Sequence, residues 1–175
     1  MRILKKILIV IVILIALPFV IALFVNNEYD VTRELVINKP KAEVFDYVKH
    51  IKNQDYYSVW NMTDPNMKKN FTGTDGTVGF IYHWDGNDEV GEGKQEITAI
   101  KEGERVDMSL LFIRPFEGDA HTYMATEDAP GGTKVTWNMK GYSNYPMNIM
   151  NLFMNKQLGG AFEQGLTNMK NNLEK

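Results

Sequence analysis

The chain has 175 residues and a net charge of −3, which leaves room for one domain and one additional segment. It contains no cysteine, and this excludes a disulfide framework, a thiolate metal site and a cysteine nucleophile. From Glu28, the first acidic residue, the chain carries sixteen basic and twenty-two acidic residues, a balance that argues against nucleic acid as a partner.

The N-terminal part of the sequence is an uninterrupted apolar run from Ile7 to Val25. As a helix this run would span about 28 Å, close to the roughly 30 Å of a hydrocarbon core. We therefore expect a transmembrane anchor in residues 1–26, followed by a domain in residues 27–175. Pro18 is compatible with a membrane helix. A cleaved signal peptide is the competing interpretation, but such a peptide has a shorter apolar region and a small-x-small cleavage site.

The charges beside the apolar run predict its orientation. Basic residues stand before the run and acidic residues after it: Arg2, Lys5 and Lys6, then Glu28 and Asp30. Because basic flanks stay in the cytoplasm, we expect a single-pass protein with a cytoplasmic N-terminus. The C-terminal domain would then lie on the outer side of the cell membrane, in the periplasm or outside the cell.

The first elements after the run are a strand and short helices. Residues Tyr29 to Ile37 alternate in polarity, which predicts a β-strand. Pro40 ends this strand and suits the first turn of a helix. Apolar residues at helical spacing then predict a short helix from Pro40 to Lys49, and a second helical turn is expected around Asn53 to Tyr57.

From Met67 onward the sequence is typical of a β-meander. Turn signals recur at intervals of about one strand length and delimit about six further strands. Three of these strands show one apolar face, formed by Val78, Phe80, Tyr82 and Trp84, by Val106, Met108, Leu110 and Phe112, and by Val135, Trp137 and Met139. Such alternation indicates antiparallel strands with one face on the core and one in solvent.

After Tyr145 and Pro146 the apolar period becomes helical. The apolar stripe consists of Met150, Met154, Leu158, Ala161, Phe162, Gly165, Leu166, Met169 and Leu173. It predicts a helix of about 28 residues, which alone is long enough to cover the apolar face of the sheet. The pair Gly159-Gly160 costs about 1 kcal/mol per glycine relative to alanine, so the helix either bends there or has a close neighbour at its backbone.

Five stretches, taken in order, carry a family resemblance: Val36 to Phe45, Trp60, Gly91 to Thr98, Gly131 to Trp137, and Phe162 to Lys170. They resemble the polyketide cyclase/dehydrase branch of the START-like (SRPBCC) superfamily over Asp30 to Lys175. The resemblance implies an α+β helix-grip fold, an antiparallel seven-stranded sheet curled around a long C-terminal helix. It also implies a deep apolar cavity between sheet and helix that holds a hydrophobic small molecule.

Strand alternation and helix phase place a set of aromatic and methionine side chains around that cavity. The expected ligand-binding residues are Trp60, Phe80, Tyr82, Trp84, Trp137, Met139, Met150 and Met154. An ordinary packed core is the alternative interpretation of the same pattern. The ten methionines of the chain favour an adaptable apolar surface.

Candidate catalytic groups are few. His83 and His121 stand in predicted strands, and a histidine beside Asp85 or Glu89 would make an acid/base pair. However, the alternation that turns Tyr82 inward turns His83 to solvent. The sequence shows neither metal-ligand spacing nor a phosphate-binding loop, so no metal and no cofactor are expected.

These features together predict a membrane-anchored, non-enzymatic binding module for a lipid or other hydrophobic small molecule. Two alternatives stay open. One is a cyclase- or hydrolase-type enzyme of the same superfamily, and the other is an envelope interaction or stress module with a filled core.

Overall fold

The first element is an apolar helix, α1 (Arg2–Ala22), in a computed structural model that describes residues 2–175. Residues 2–21 are all exposed, and Ala22 is the first buried residue. Within the described part of the chain, α1 is the one helix long and apolar enough to cross a membrane, by length and composition. A helix that is apolar on every side is typical of a membrane span or of a helix buried against protein.

Short helices and seven strands follow α1. The elements are β1 (Glu28–Ile37), α2 (Lys41–Lys49), a 3₁₀ helix (Ile51–Tyr56), α3 (Val59–Thr63), β2 (Lys68–Thr72), β3 (Ile81–Asp85), β4 (Glu92–Lys101), β5 (Arg105–Arg114), β6 (Gly118–Ala129), β7 (Gly132–Tyr142), a second 3₁₀ helix (Met147–Met150) and α4 (Asn151–Leu173).

All seven strands form one antiparallel sheet in the order β1-β7-β6-β5-β4-β3-β2. The β1 strand pairs with β7, from Glu28 opposite Tyr142 to Ile37 opposite Thr133. We call the end of the sheet where β1 begins the proximal end, because α1 leaves the fold there, and the opposite end the distal end. The α+β helix-grip fold predicted from the sequence is confirmed.

One residue that was predicted to lie on an apolar strand face lies outside the strand. Val78 lies in a turn before β3 and is 60% exposed, so its assignment to the apolar face was wrong. The turn forms because the Phe80 amide donates to the Thr77 carbonyl at 3.1 Å and Gly79 has a φ of +85°. Phe80 itself lies just before β3 and is fully buried.

The C-terminal helix is shorter than predicted. Its α-helical part begins at Asn151, because residues Met147–Met150 form a 3₁₀ turn. Met150 therefore belongs to that turn and is 43% exposed. From Asn151 to Leu173 the helix is continuous and packs mainly against β1.

The glycine pair within α4 has a close neighbour on one side only. A Cβ at Gly159 would overlap the guanidinium of Arg33, whereas Gly160 faces open space. Arg33 Nη2 donates to the Asn155 carbonyl at 2.9 Å, and Nε pairs with Glu163. Close packing, rather than a break in the helix, therefore accounts for Gly159.

Candidate functional site

The candidate site is the packed region between the inner face of the sheet and α4, which we call the cleft. The two depressions described for residues 2–175 lie elsewhere, on the outer face of the sheet. Of the predicted ligand-binding residues, five are buried on or beside the inner face of the sheet: Phe80, Tyr82, Trp84, Trp137 and Met139. Trp60 on α3 and Met154 on α4 are half-buried against the same core. Met150, by contrast, lies on the protein surface.

One aromatic cluster joins the sheet to α4. Trp137 stacks on Phe162 with ring centroids 4.4 Å apart, and Trp60 meets both rings edge-on at 6.3 and 6.1 Å. Tyr57 meets Trp137 edge-on at 5.7 Å. The absence of a side chain at Gly165 makes room for the indole, because a Cβ there would lie 2.8 Å from Cζ3 of Trp137.

A second aromatic cluster covers the other side of the cleft. The Tyr82 ring lies 5.2 Å from Phe71 and 5.7 Å from Trp84, and Trp84 meets Phe112 edge-on at 6.2 Å. A Cβ at Gly93 would overlap the Trp84 indole. The sheet is irregular at this point, since the register between β4 and β5 shifts between Glu92 and Gly93.

The inner face becomes more accessible to solvent toward the proximal end. The exposed fractions rise in order along two strands: Phe80 0%, Tyr82 3% and Trp84 9% at β3, and Val106 0%, Met108 2% and Leu110 8% on β5. On α4 the trend runs from Met169 and Phe162, which are fully buried, to Met154, which is half-buried. The inner face is therefore packed along most of its length, and its least buried part lies at the end from which α1 leaves.

A small polar cluster lies beside the aromatic wall of the cleft. Asn61 Nδ2 donates to Asp55 Oδ1 at 2.7 Å and to the Tyr82 hydroxyl at 3.2 Å, and Lys69 donates to the same Asp55 oxygen at 2.6 Å. Burial, together with the negative charge of Asp55, raises the pKa of Tyr82. The Tyr82 hydroxyl thus stays neutral, and among residues 2–175 it has no hydrogen-bond partner besides Asn61.

Gln95 is a buried amide in the middle of the apolar inner face. It stands opposite Tyr82 on one side and Leu110 on the other, and its Nε2 donates to Met108 Sδ at 2.8 Å. A thioether is a weak acceptor, so this amide is poorly satisfied for a buried group. Neither Gln95 nor Asn61 was predicted from the sequence; for Gln95 the available signal was its position two residues before Ile97, on the inward-facing phase of β4.

Both candidate histidines lie on the outer face of the sheet. His83 Nε2 lies 3.1 Å from Glu92, while Asp85 pairs with Arg114 at 2.9 Å. The acid/base pair considered for His83 with Asp85 or Glu89 is therefore not formed. His121 lines an open outer depression of about 520 Å³, which it shares with Tyr29, Asp119 and Lys140 among others.

The charged side chains beside the cleft are paired, Arg33 with Glu163 and Lys69 with Asp55, and the remaining polar groups are neutral. Tyr82, Asn61 and Gln95 offer a phenol and two amides, none of which is a base at neutral pH. Over residues 2–175, no group of three or more potential ligand side chains could hold a metal ion. This arrangement suits the binding of an apolar molecule with few polar contacts better than proton abstraction.

Sheet, covering helix and apolar cleft define a protein of the SRPBCC helix-grip class. More particularly, the chain belongs to the family described as polyketide cyclase / dehydrase and lipid transport, whose sequence profile matches residues 28–174. No curated protein matches the sequence.

Solved structures of low sequence identity share the fold. Protein CV1439 from Chromobacterium violaceum superimposes with a TM-score of 0.60 at 13% identity, over 85% of this chain and 98% of that one. The protein Ara h 8.0201 has a TM-score of 0.56 at 15% identity, over 85% of this chain and 99% of that one. The di-domain ARO/CYC StfQ from the steffimycin biosynthetic pathway has a TM-score of 0.61 at 8% identity, over 82% of this chain and 49% of that one.

Proposed function

We propose that this protein is a membrane-anchored binding module that holds a lipid or other hydrophobic small molecule in the cleft. The observation that carries the proposal is the aromatic and methionine lining between sheet and α4, which is least buried beside α1, where Met154 is half-buried. The family description includes lipid transport, which agrees with such a role. Removing apolar surface from water is favourable by about 25 cal/mol per Å². A hydrophobic molecule that covers apolar side chains of the cleft therefore stabilises the complex.

The side chains at the accessible end can rearrange around a ligand. Met139 and Met154 stand there on facing elements, β7 and α4, and a flexible thioether adapts to ligands of different shape. The distal end is different, because the stacked Trp137 and Phe162 rings already fill the space between sheet and helix. The ligand therefore occupies the proximal half of the cleft and ends against these two rings.

The polar groups of the cleft define the ligand class further. The Tyr82 hydroxyl has a proton to donate, and the Gln95 amide has only a thioether partner. Both groups are neutral, so the ligand they suit carries an uncharged oxygen, such as a carbonyl, ester or hydroxyl, on an apolar body. A charged head group would lie outside the cleft, at its proximal opening.

The membrane anchor determines where in the cell the ligand would be bound. In the proposed orientation, Arg2, Lys5 and Lys6 stay in the cytoplasm and the cleft lies at the outer surface of the membrane. The least buried end of the cleft is the end of the fold from which α1 leaves. A hydrophobic ligand would pass between the outer leaflet and the cleft without crossing water.

The test is native mass spectrometry of the full chain purified from its natural host, followed by organic extraction. We expect an apolar molecule of defined mass to accompany the protein. Met154→Trp, which narrows the proximal opening, abolishes this association, while Lys156→Trp places the same residue on the exposed face of α4 and retains it. An unliganded mass together with no thermal shift across a lipid panel would overturn the proposal in favour of a filled-core interaction module.

A further inference from the structure

The joint between α1 and the rest of the fold is built from two asparagines. Asn148 is buried, and its Nδ2 lies within hydrogen-bond distance of the Ala22 carbonyl at 2.8 Å, the Val25 carbonyl at 3.0 Å and Asn27 Oδ1 at 2.8 Å. Asn151 Nδ2 donates to the Asn26 and Asn27 carbonyls at 2.9 and 3.0 Å. The last turn of a helix leaves carbonyls without partners inside the helix, and these two side chains satisfy carbonyls at and after the end of α1.

The linker between α1 and the sheet is short and hydrogen-bonded. The Ser143 amide donates to the Asn27 carbonyl at 2.8 Å, which extends the pairing of β1 with β7 by one step. β1 then begins at Glu28, six positions after the last residue of α1. Residues 143–151 thus hold α1 against the proximal end of the fold through hydrogen bonds on both sides of the linker.

Exposed apolar side chains surround this joint. They are Leu23 and Phe24 just after α1, Tyr145, Met147 and Met150 in and before the second 3₁₀ helix, and Leu152 and Phe153 in the first turn of α4; together we call them the juxtamembrane patch. Each of these side chains is at least 42% exposed. Leu23 and Phe24 continue the apolar sequence of α1, and the Asn148 hydrogen bonds bring the other five residues beside them. An exposed apolar group of this kind marks an interaction surface.

We propose that the juxtamembrane patch rests in the outer leaflet of the bilayer, at the boundary between head groups and acyl chains. The inference rests on the membrane anchorage in the proposed function. The lipid surface is the occupant because the patch flanks Ala22 to Val25, where α1 leaves the bilayer, and the asparagine joint keeps it there. Aromatic, leucine and methionine side chains at this depth are typical of interfacial anchoring.

This placement turns the proximal opening of the cleft toward the lipid. Met154, which lines the opening, is the residue after Phe153 on α4, so the patch and the opening share one end of one helix. The patch then fixes the orientation of the domain relative to the membrane, which a flexible linker alone would not do. A ligand can move between leaflet and cleft along a continuous apolar surface.

The absence of cysteine allows single-label experiments on the full chain in nanodiscs of phosphatidylcholine and phosphatidylglycerol. Phe153→Cys places an environment-sensitive fluorophore in the patch. Val78→Cys, equally apolar and exposed but at the distal end, is the matched control, and Leu14→Cys reports the depth of α1. We expect doxyl-labelled lipids to quench the F153C label severalfold more than the V78C label, and aqueous iodide to do the reverse.

Three results would overturn the inference in distinguishable ways. An F153C label that iodide reaches as easily as V78C, while lipid quenches L14C, overturns the patch and leaves the anchorage standing. An L14C label that iodide reaches overturns the anchorage and the patch together. If F153C is shielded from iodide but not quenched by lipid, a second copy or another protein covers the patch, and the lipid assignment is wrong.

Discussion

Trp137 on β7 stacks on Phe162 of α4 with 16° between the ring planes, and this pair closes the distal end of the cleft. Because Trp60 meets both rings edge-on, the stack connects α3 with β7 and α4, which lie about seventy or more residues later in the chain. The rings therefore determine how deep a ligand can reach. They also contribute to stability, since each large aromatic side chain buries roughly 150–250 Å².

Replacing Phe162 by alanine tests this contribution. We expect Phe162→Ala to lower the free energy of unfolding by about 3–5 kcal/mol, because it removes a fully buried ring and leaves a cavity. Phe153→Ala removes the same ring from an exposed site and should change stability by less than about 0.5 kcal/mol in detergent. Thermal or denaturant unfolding of both variants makes the comparison, and equal effects would show that the stack is not a structural element.

The two neighbouring glycines of α4 should respond differently to alanine. Gly160→Ala adds helix propensity of about 1 kcal/mol and meets nothing, so it stabilises the protein. Gly159→Ala gains the same propensity but displaces Arg33 from its partners Asn155 and Glu163. Because hydrogen bonds to a charged group contribute about 1.5–3 kcal/mol and this one is partly exposed, we expect G159A to be less stable than G160A by about 1–2 kcal/mol. The same Tm for both variants would contradict this role of Arg33.

The asparagine joint can be broken by one isosteric change. Asn148→Asp replaces the donating amide by a carboxylate that faces the carbonyls of Ala22 and Val25, so the joint loses its hydrogen bonds. We expect amide hydrogen exchange in residues 23–28 to rise at least tenfold, as measured by mass spectrometry. Asn144→Asp adds the same charge at an exposed position nearby and should leave exchange unchanged. Unchanged protection in N148D would mean that Asn148 does not hold the linker.

Alkaline pH should destabilise the fold through its buried tyrosines. Burial raises the pKa of Tyr57, and burial together with the charge of Asp55 raises the pKa of Tyr82. In the unfolded chain both tyrosines have a pKa near 10. Above pH 10 the unfolded chain therefore loses these protons, while the folded protein keeps them. Stability is thus fully present below pH 10 and falls above it, by up to about 1.4 kcal/mol per pH unit for each tyrosine. Tyr57→Phe should make this decline shallower, whereas Tyr56→Phe at an exposed site should not; unfolding curves between pH 8 and 11.5 measure both.

Strand and helix periods were the reliable part of the sequence analysis. The inner faces of β5 and β7 follow the predicted alternation, but only β5 alternates in burial, because β7 is buried on both faces from Val135 to Met139. The prediction failed at Val78, where a glycine turn interrupts the alternation, and at the start of α4, where the 3₁₀ turn replaces the first α-helical turn.

Hydrophobic periodicity does not predict the roles of single polar residues in the site and at the joint. Gln95 and Asn61 carry no repeat, and their importance follows from neighbours on other elements, Met108 and Tyr82. Asn148 depends on Ala22, which is 126 positions away in the chain. Such contacts exist only once the sheet has closed, so local sequence patterns do not reveal them.

The central claim, that an apolar molecule occupies the cleft, can be tested with the intrinsic fluorescence of the chain. The three tryptophans of the sequence, Trp60, Trp84 and Trp137, all line the cleft. Titration of the full chain in micelles with a brominated fatty acid should quench this fluorescence and saturate near one equivalent, and the unbrominated acid should reverse it. Quenching that rises linearly without saturation, as for a free tryptophan analogue in the same micelles, would contradict the claim.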